Sequence, residues 1–184
     1  GDGYRSMLLS DNAMFYPFFK ITTSVWKIKY MNLYTEFDDA YNGTIDSVVG
    51  VTRKFGSFHY LSWDVFPWVQ LGLFEGIVWP ANDSTRYRGF DVNYINPIIF
   101  FRPIEFGLGS PDNAVIGANI KFTPLEKLII YGQFIMDDLD VAAARAGDGY
   151  YRNKFGIQGG FKFYEPFKIK NLIVQAEMNQ ANPY

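Results

Sequence analysis

The sequence predicts an all-β protein, and more narrowly an antiparallel transmembrane β-barrel of the outer-membrane type. Apolar and polar residues alternate with period two through much of the 184 residues, which is the pattern of strands with one apolar and one polar face. Long and short connections also alternate along the chain, as they do in outer-membrane barrels. Aromatic residues make up 19% of the chain, and such an excess is typical of proteins at membrane interfaces.

Composition narrows the function classes before any element is placed. A formal charge of -2 gives the chain no bias toward nucleic acid or other polyanions. The absence of cysteine excludes disulfides, thiolate metal sites and a cysteine nucleophile, and His59 is the only histidine. No run of about 18 uninterrupted apolar residues occurs, so the sequence predicts no transmembrane helix. This test does not detect the strands of a transmembrane barrel, which are shorter and alternate in polarity. We expect residues 1–184 to form a single barrel segment with no separate soluble domain, no cofactor and no catalytic residues.

Alternation places seven strands, each near or above the roughly 9 to 11 residues that cross a bilayer as a tilted strand. They are Phe18–Thr35, Thr52–Ser62, Val65–Trp79, Asn113–Phe122, Lys127–Asp137, Arg152–Phe163 and Leu172–Asn179. In the third strand, Leu71 and Leu73 lie on the apolar face, which Glu75 interrupts as a mild exception. In the second strand, alternation puts His59 on the polar face, where we expect it to make a hydrogen bond in the lumen.

The connections between these strands alternate in length. They span residues 36–51 (long), 63–64 (short), 80–112 (long), 123–126 (short), 138–151 (long) and 164–171 (short). Because a closed antiparallel barrel normally has an even number of strands, the seven strands predict that this chain is part of a larger barrel. The rival is a complete eight-stranded barrel, whose extra strand would have to come from residues 1–16. The many polar side chains of that stretch make it a poor strand.

An acidic run at the lip of a long loop, formed by Asp137, Asp138 and Asp140, is the best metal candidate. Adjacent carboxylates at a strand end usually only solvate a loop, and this run lacks the glycine and the bidentate acid of a calcium loop. We therefore expect no metal site. His59 has no second histidine or cysteine to help it bind a metal.

The segment Asn96–Glu105 has the composition of ordered structure inside the longest loop. One hypothesis folds it into the lumen, or over its mouth, as a constriction or ligand contact. In the other, Arg102 and Glu105 pair and only pin the loop. We favour the second, because barrels commonly fill their own lumen and two charges define no reaction.

Several phrases in the sequence carry a family resemblance. Residues 1–13 read GDGYRSMLLSDNA, INP at 95–97 is followed by RPIE at 102–105, and YGQF at 131–134 precedes DD at 137–138. With these phrases the chain resembles the RemB proteins, gliding-motility-associated members of the Wzi-like capsule-assembly group of outer-membrane proteins in Bacteroidota. The resemblance implies a signal peptide, many more strands than seven, and a role in cell-surface polysaccharide attachment and gliding motility. It transfers no functional residue.

Tryptophans divide between two expected roles. Trp63 and Trp79 lie at predicted strand ends and favour interface girdles, whereas Trp68 falls on the polar face of its predicted strand and is placed to meet a glycan. The candidate glycan-binding or lumen-constriction residues are Trp68, Tyr87, Asp91, Tyr94, Arg102 and Glu105.

Function classes rank in this order: a non-enzymatic outer-membrane barrel that binds or anchors surface polysaccharide, a diffusion pore, a structural subunit of a larger outer-membrane secretion or surface complex, and last an enzyme. Length and aromatic content of the loop over residues 80–112 favour binding or plugging over free diffusion. The expected location is the bacterial outer membrane. The expected partners are outer-membrane lipid, surface polysaccharide and other outer-membrane, gliding or secretion proteins, with no nucleic acid.

Overall fold

A computed structural model describes residues 6–9, 15–39, 52–82, 88–99, 112–137 and 154–182. Their strands form one eight-stranded antiparallel sheet, in which each strand pairs with its neighbours in the sequence and the two outer strands are not joined to each other. The strands are β1 (Phe18–Val25), β2 (Ile28–Asp39), β3 (Thr52–Phe66), β4 (Val69–Pro80), β5 (Asn113–Leu125), β6 (Leu128–Asp137), β7 (Lys154–Tyr164) and β8 (Ile173–Ala181). Two short 3-10 helices, Val92–Ile95 and Pro166–Lys168, lie in connections, and no helix in these ranges is long and apolar enough to cross a membrane.

The predicted all-β class is confirmed, but the predicted count of seven strands is wrong. The stretch predicted as one strand, Phe18–Thr35, is a hairpin of β1 and β2 that turns at Trp26 and Lys27. Trp26 takes a left-handed conformation with φ 52°, a role that glycine or asparagine usually fills in a two-residue turn. The sequence therefore lacks the ordinary turn signal at this point, and the odd strand count that favoured a larger barrel disappears.

One predicted turn also lies elsewhere. The sequence placed a short connection at Trp63 and Asp64, whereas β3 continues through a bulge between Asp64 and Phe66. The chain then turns at Pro67 and Trp68, so Trp68 lies in a turn and not on the polar face of a strand. A bulge adds a residue without ending the pairing, which alternation alone does not reveal. The other predicted strands are present, and short and long connections alternate as expected.

Directly paired residues of neighbouring strands share a face, so the register defines two faces. Face A carries large apolar side chains that are exposed: Trp63, Leu71, Leu73, Ile120, Ile130, Phe134, Phe155, Ile157, Phe161, Val174 and Met178. Face B carries polar side chains that are buried or half-buried: Tyr60, Asn119, Lys121, Tyr131, Gln133, Gln158, Lys162 and Glu177. This distribution is the reverse of that in a water-soluble sheet, which buries its apolar face.

Glycines report the crowding on each face independently. A Cβ added to Gly56, Gly76, Gly156 or Gly160 of face B would lie less than 3.0 Å from a neighbouring atom. A Cβ on Gly132 of face A would meet nothing closer than 3.5 Å, and one on Gly159 would meet nothing within 4 Å. Face B is therefore the closely packed side of the sheet and face A the open one.

The faces exchange character near the long-loop ends of β2, β3 and β4. There face B carries buried Leu33, Phe58 and Phe74, while face A carries the polar residues Asn32, His59 and Glu75. The predicted polar face for His59 is therefore wrong, because His59 shares its face with Trp63 and Leu71. A polar patch on an otherwise apolar face requires a cover, which the loop after β4 supplies.

Adjacent glycines of β7 test this assignment of the faces. Gly160→Ala places a Cβ 2.6 Å from the Tyr131 hydroxyl and 2.7 Å from the Ala176 carbonyl. We expect a loss of about 1–3 kcal/mol in unfolding free energy, typical of overpacking. Gly159→Ala is the matched control and should be neutral or stabilising, because its Cβ meets no neighbour. Urea titration of the protein folded in detergent, followed by tryptophan fluorescence, measures both; equal effects would contradict the assignment.

Candidate functional site: a polar patch beneath a loop segment

Residues 88–99, here called the strap, fold back from the end of β4. The backbone amides of Arg88 and Gly89 both donate to the carbonyl of Ala81, and Gly89 supplies the left-handed conformation, with φ 64°, that reverses the chain. A 3-10 turn, Val92–Ile95, follows, and the Asp91 carboxylate caps it by accepting from the Asn93 amide. Asn96–Ile99 then continues without regular structure.

Aromatic packing holds the strap against face A. The Tyr94 ring lies 4.5 Å from the Trp79 ring, and the Phe90 ring lies 5.6 Å from Phe55 and 5.7 Å from Trp79. Trp79 is fully buried and donates from Nε1 to the Gly89 carbonyl, so the expected girdle role at a membrane interface is wrong for Trp79. The buried cluster here consists of Phe55, Ile77, Trp79, Ala81, Tyr94 and Ala114.

Three hydroxyl groups of the sheet donate to backbone carbonyls of the strap. Ser57 donates to the Tyr94 carbonyl at 2.9 Å and Tyr34 to the Ile95 carbonyl at 2.8 Å. Tyr30 donates to the carbonyl of Pro97. Irregular backbone has no strand partner for these carbonyls, so polar side chains on face A take that role.

Arg88 joins the start of the strap to the end of the loop. Its guanidinium contacts Asp91 at 2.9 Å and Asp112 at 2.8 Å, and the Tyr94 hydroxyl donates to Asp112 at 2.7 Å. Burial would lower the pKa of Arg88, but hydrogen bonds to these partners raise it above its usual value. Burial would raise the pKa of Asp91, but the Asn93 amide and Arg88 lower it. Burial and then Asp112 raise the pKa of Tyr94, which stays a neutral donor.

Beneath the strap, His59 and Glu75 form a buried pair. Nδ1 of His59 lies 2.7 Å from Oε1 of Glu75, and their side chains are only 6% and 4% exposed. The residues are directly opposite in β3 and β4, which brings the carboxylate to the ring without strain in either strand. Within the described ranges, His59 Nε2 and the Oδ1 of Asn32, its cross-strand neighbour, find no hydrogen-bond partner.

A small cavity of about 10 Å³ adjoins this pair, with room for about one water molecule. Its lining residues are Ser57, His59, Glu75, Ile77, Asn93, Tyr94 and Asn96. The Ser57 hydroxyl donates to the Tyr94 carbonyl of the strap, and the strap lines one side of the cavity, so these groups hold the strap in place. The part of the chain that the structure describes contains no cluster of three or more side chains able to hold a metal ion.

Face B carries a second polar cluster, between β6 and β8. The Tyr131 hydroxyl donates to Glu177 at 2.8 Å and accepts from Gln175 at 3.0 Å. Gln158 donates to Asn179 at 2.7 Å and to Glu177 at 3.3 Å. Amides, a hydroxyl and a carboxylate thus form a connected network, which is the kind of surface that hydrogen-bonds water or sugar hydroxyls.

Of the predicted site residues that the structure describes, Asp91 and Tyr94 lie together and Trp68 lies apart. Both are engaged within the strap, and Tyr94 is only 5% exposed, so its ring face is packed on Trp79 and not open to a glycan. Trp68 lies at the opposite end of β4, roughly 40 Å away at about 3.3 Å per residue, stacked on Phe66. Their predicted role in glycan binding stays a prediction.

Other predicted positions fall at strand ends or outside the described ranges. Asp137 ends β6 opposite Lys154 in the register. Tyr87, Arg102, Glu105, Asp138 and Asp140 lie outside the described residues. Entry into the lumen was one of two hypotheses for Asn96–Glu105, and the described part of that segment, residues 96–99, lies against face A. The favoured hypothesis, a pair between Arg102 and Glu105, falls outside the described residues.

Sequence reasoning missed the centre of this site although it noted both members. His59 looked like a polar-face residue and Glu75 like an isolated break in an apolar face, on adjacent strands. The predicted turn at Trp63 and Asp64 concealed the pair, because the register that sets His59 opposite Glu75 depends on the bulge in β3 and the turn at Pro67 and Trp68. Arg88 and Asp112 carried no signal, because they are 24 residues apart in a loop.

Comparison with known proteins adds no relative. No family model, no curated protein and no solved structure matches this chain. Its function has to follow from its own faces, contacts and charges.

Replacing one or both side chains of the buried His59–Glu75 pair tests its structural role. Glu75→Ala leaves His59 buried without its partner, and we expect a loss of about 3 kcal/mol in unfolding free energy. The double variant His59→Leu with Glu75→Leu should lose much less, because it removes both polar groups together. Denaturant titration in detergent measures each.

Glu165→Ala serves as the control, since it removes a Lys127–Glu165 pair whose side chains are largely in contact with solvent. It should leave stability nearly unchanged. A double variant as unstable as Glu75→Ala alone would contradict the structural role of the pair.

Proposed function

We propose that this chain is a section of the wall of an outer-membrane β-barrel, with face A toward lipid and face B toward the lumen. The reversed exposure of the two faces carries this proposal. Face A would leave a broad apolar surface in contact with water in a soluble protein, whereas hydrocarbon solvates it at no cost. Face B is closely packed and carries polar side chains over much of its area, which suits a hydrated or filled interior.

Strand length supports the same reading. Seven of the eight strands have nine residues or more, the shortest of these being β8 with 9 and the longest β3 with 15. A tilted strand crosses the hydrocarbon core with roughly 9 to 11 residues. The sheet therefore has the dimensions of a membrane wall.

The two sheet edges indicate how the wall is completed. Among the described strands, β1 and β8 each pair on one side only. An unpaired backbone group in hydrocarbon costs several kcal/mol, so a membrane wall cannot end on an open edge. We propose that additional strands continue the sheet from β1 and β8 into a larger barrel.

Residues 6–9 favour a filled lumen over a diffusion pore. The Met7 amide donates to Oε1 of Gln133, and a Cβ on Gly156 would lie 2.5 Å from the Met7 methyl group. Gln133 of β6 and Gly156 of β7 both belong to face B. The chain enters the sheet only afterwards, at β1, which is one edge of the sheet. The N-terminal segment therefore occupies part of the polar side.

For the role of the barrel, we propose non-enzymatic attachment of cell-surface polysaccharide in support of gliding motility. This part of the proposal comes from the sequence phrases that resemble RemB proteins. The network around Glu177 and Gln158 is compatible with it, because amide and carboxylate groups hydrogen-bond sugar hydroxyls. The rival role, a structural subunit of a larger surface complex, predicts a protein partner in place of a glycan.

Lipid contact is the first test. The chain has no cysteine, so a single cysteine can carry an environment-sensitive fluorophore at a chosen site. Ile130→Cys and Met178→Cys on face A should be quenched strongly by nitroxides on lipid acyl chains, and Gln175→Cys on face B should not. Equal quenching of both faces by a water-soluble quencher would overturn the membrane proposal.

Polysaccharide retention tests the finer role. Cells lacking the full-length protein should release surface polysaccharide into the medium that wild-type cells retain, and they should glide poorly. Quantifying cell-bound and released polysaccharide gives the result. If the wild-type protein passes the lipid-contact test but cells that lack it retain as much polysaccharide as wild-type cells, polysaccharide attachment is rejected. The barrel would then be a scaffold or a pore.

A further inference from the structure

The outer side of the strap is mostly apolar, with Asn93 as an exposed polar residue. Val92 is 71% exposed, Ile98 59%, Ile95 46% and Phe90 38%, all on residues that flank the buried contacts with face A. A loop that extends into water usually presents polar side chains there. The strap therefore covers the polar patch of face A and presents mainly apolar side chains on its own outer side.

Several backbone groups of the strap have partners within the protein. The carbonyls of Tyr94, Ile95 and Pro97 accept from sheet hydroxyls. The amides of Asn93 and Ile98 donate to the Asp91 and Asn96 side chains, and the Tyr94 amide donates to the Asp91 carbonyl. Water would satisfy these groups in an ordinary exposed loop. Hydrocarbon cannot, so irregular backbone at membrane depth needs protein partners of this kind.

The strap also reaches well down the sheet. Pro97 meets Tyr30, which lies two residues from the start of β2 at the short-turn end. Tyr30 pairs directly with Leu61, and Leu61 pairs with Leu73, which is exposed on face A. The apolar surface of the strap is therefore continuous with the apolar surface of the neighbouring strands.

Between the strap and β1 runs an apolar groove of about 460 Å³. Tyr34, Thr35 and Glu36 contribute polar groups to its lining. The rest of the lining is apolar: Pro17, Phe18, Phe19, Ile21, Phe55, Phe90 and Ile95. Apolar walls and an open length suit a flexible hydrocarbon chain, and the lining contributes few polar groups that could orient a polar ligand.

We propose that the strap lies on the lipid side of the barrel wall, and that lipid acyl chains cover its outer surface and fill the groove beside β1. The inference builds on the proposed membrane wall and goes beyond it, since an external loop would ordinarily extend into water or fold into the lumen. It also explains the polar patch. Tyr30, Tyr34 and Ser57 hold the strap by hydrogen bonds. The strap then shields the His59–Glu75 pair from hydrocarbon.

Single cysteines on the strap test the proposal in the full protein reconstituted in phosphatidylcholine vesicles. Val92→Cys and Ile98→Cys replace exposed side chains, so both variants should fold, and each carries the same fluorophore. Ile130→Cys is the lipid-facing reference and Gln175→Cys the polar-face reference. We expect nitroxide lipids to quench both strap positions nearly as strongly as position 130, and iodide to quench them several-fold less than position 175.

The references separate the possible failures. Lipid quenching at Ile130 with iodide quenching at Val92 and Ile98 would overturn the strap proposal and leave the membrane wall intact. Protection of both strap positions from lipid and iodide alike would also overturn it, in favour of a bound protein subunit. Absence of lipid quenching at Ile130 would reject the membrane wall itself.

Discussion

Backbone pairing in the ladder from β1 to β8 is the constraint on which the other features depend. Each pairing fixes which residues share a face, and a shift of one residue would move every side chain to the opposite face. With the observed register, exposed apolar side chains gather on face A and polar ones on face B. The proposed membrane insertion, the crowding on face B and the position of the strap all depend on that division.

Face A is apolar except for a patch of polar residues near the long-loop ends of β2, β3 and β4. Asn32, His59 and Glu75 would be costly next to hydrocarbon, because a buried polar group needs partners and a buried charge needs more. The pairing of His59 with Glu75 supplies one partner, and the strap supplies a cover. The hydroxyls of Tyr30, Tyr34 and Ser57 donate hydrogen bonds to the strap in return. Among the described residues, Nε2 of His59 and Oδ1 of Asn32 still have no hydrogen-bond partner.

Glycine placement reinforces the same division in a different way. Gly160 and Gly156 leave room on face B for the Tyr131 ring and for Met7, while Gly159 faces open space on face A. The closely packed side of the sheet is therefore the polar one. Among the described residues, the sheet makes its closest side-chain contacts on face B and leaves face A largely open outside the area under the strap.

Sequence alone determined the all-β class, the alternation of connections and most of the strands, because period-two alternation is a local property of the chain. It could not show the turn at Trp26, which lacks the usual turn residues, nor the bulge that carries β3 to Phe66. It also placed His59 and Glu75 on opposite faces, and it left open where the segment after Asn96 lies. Only tertiary structure decided those points, because cross-strand register and the return path of a loop depend on contacts between residues far apart in the chain.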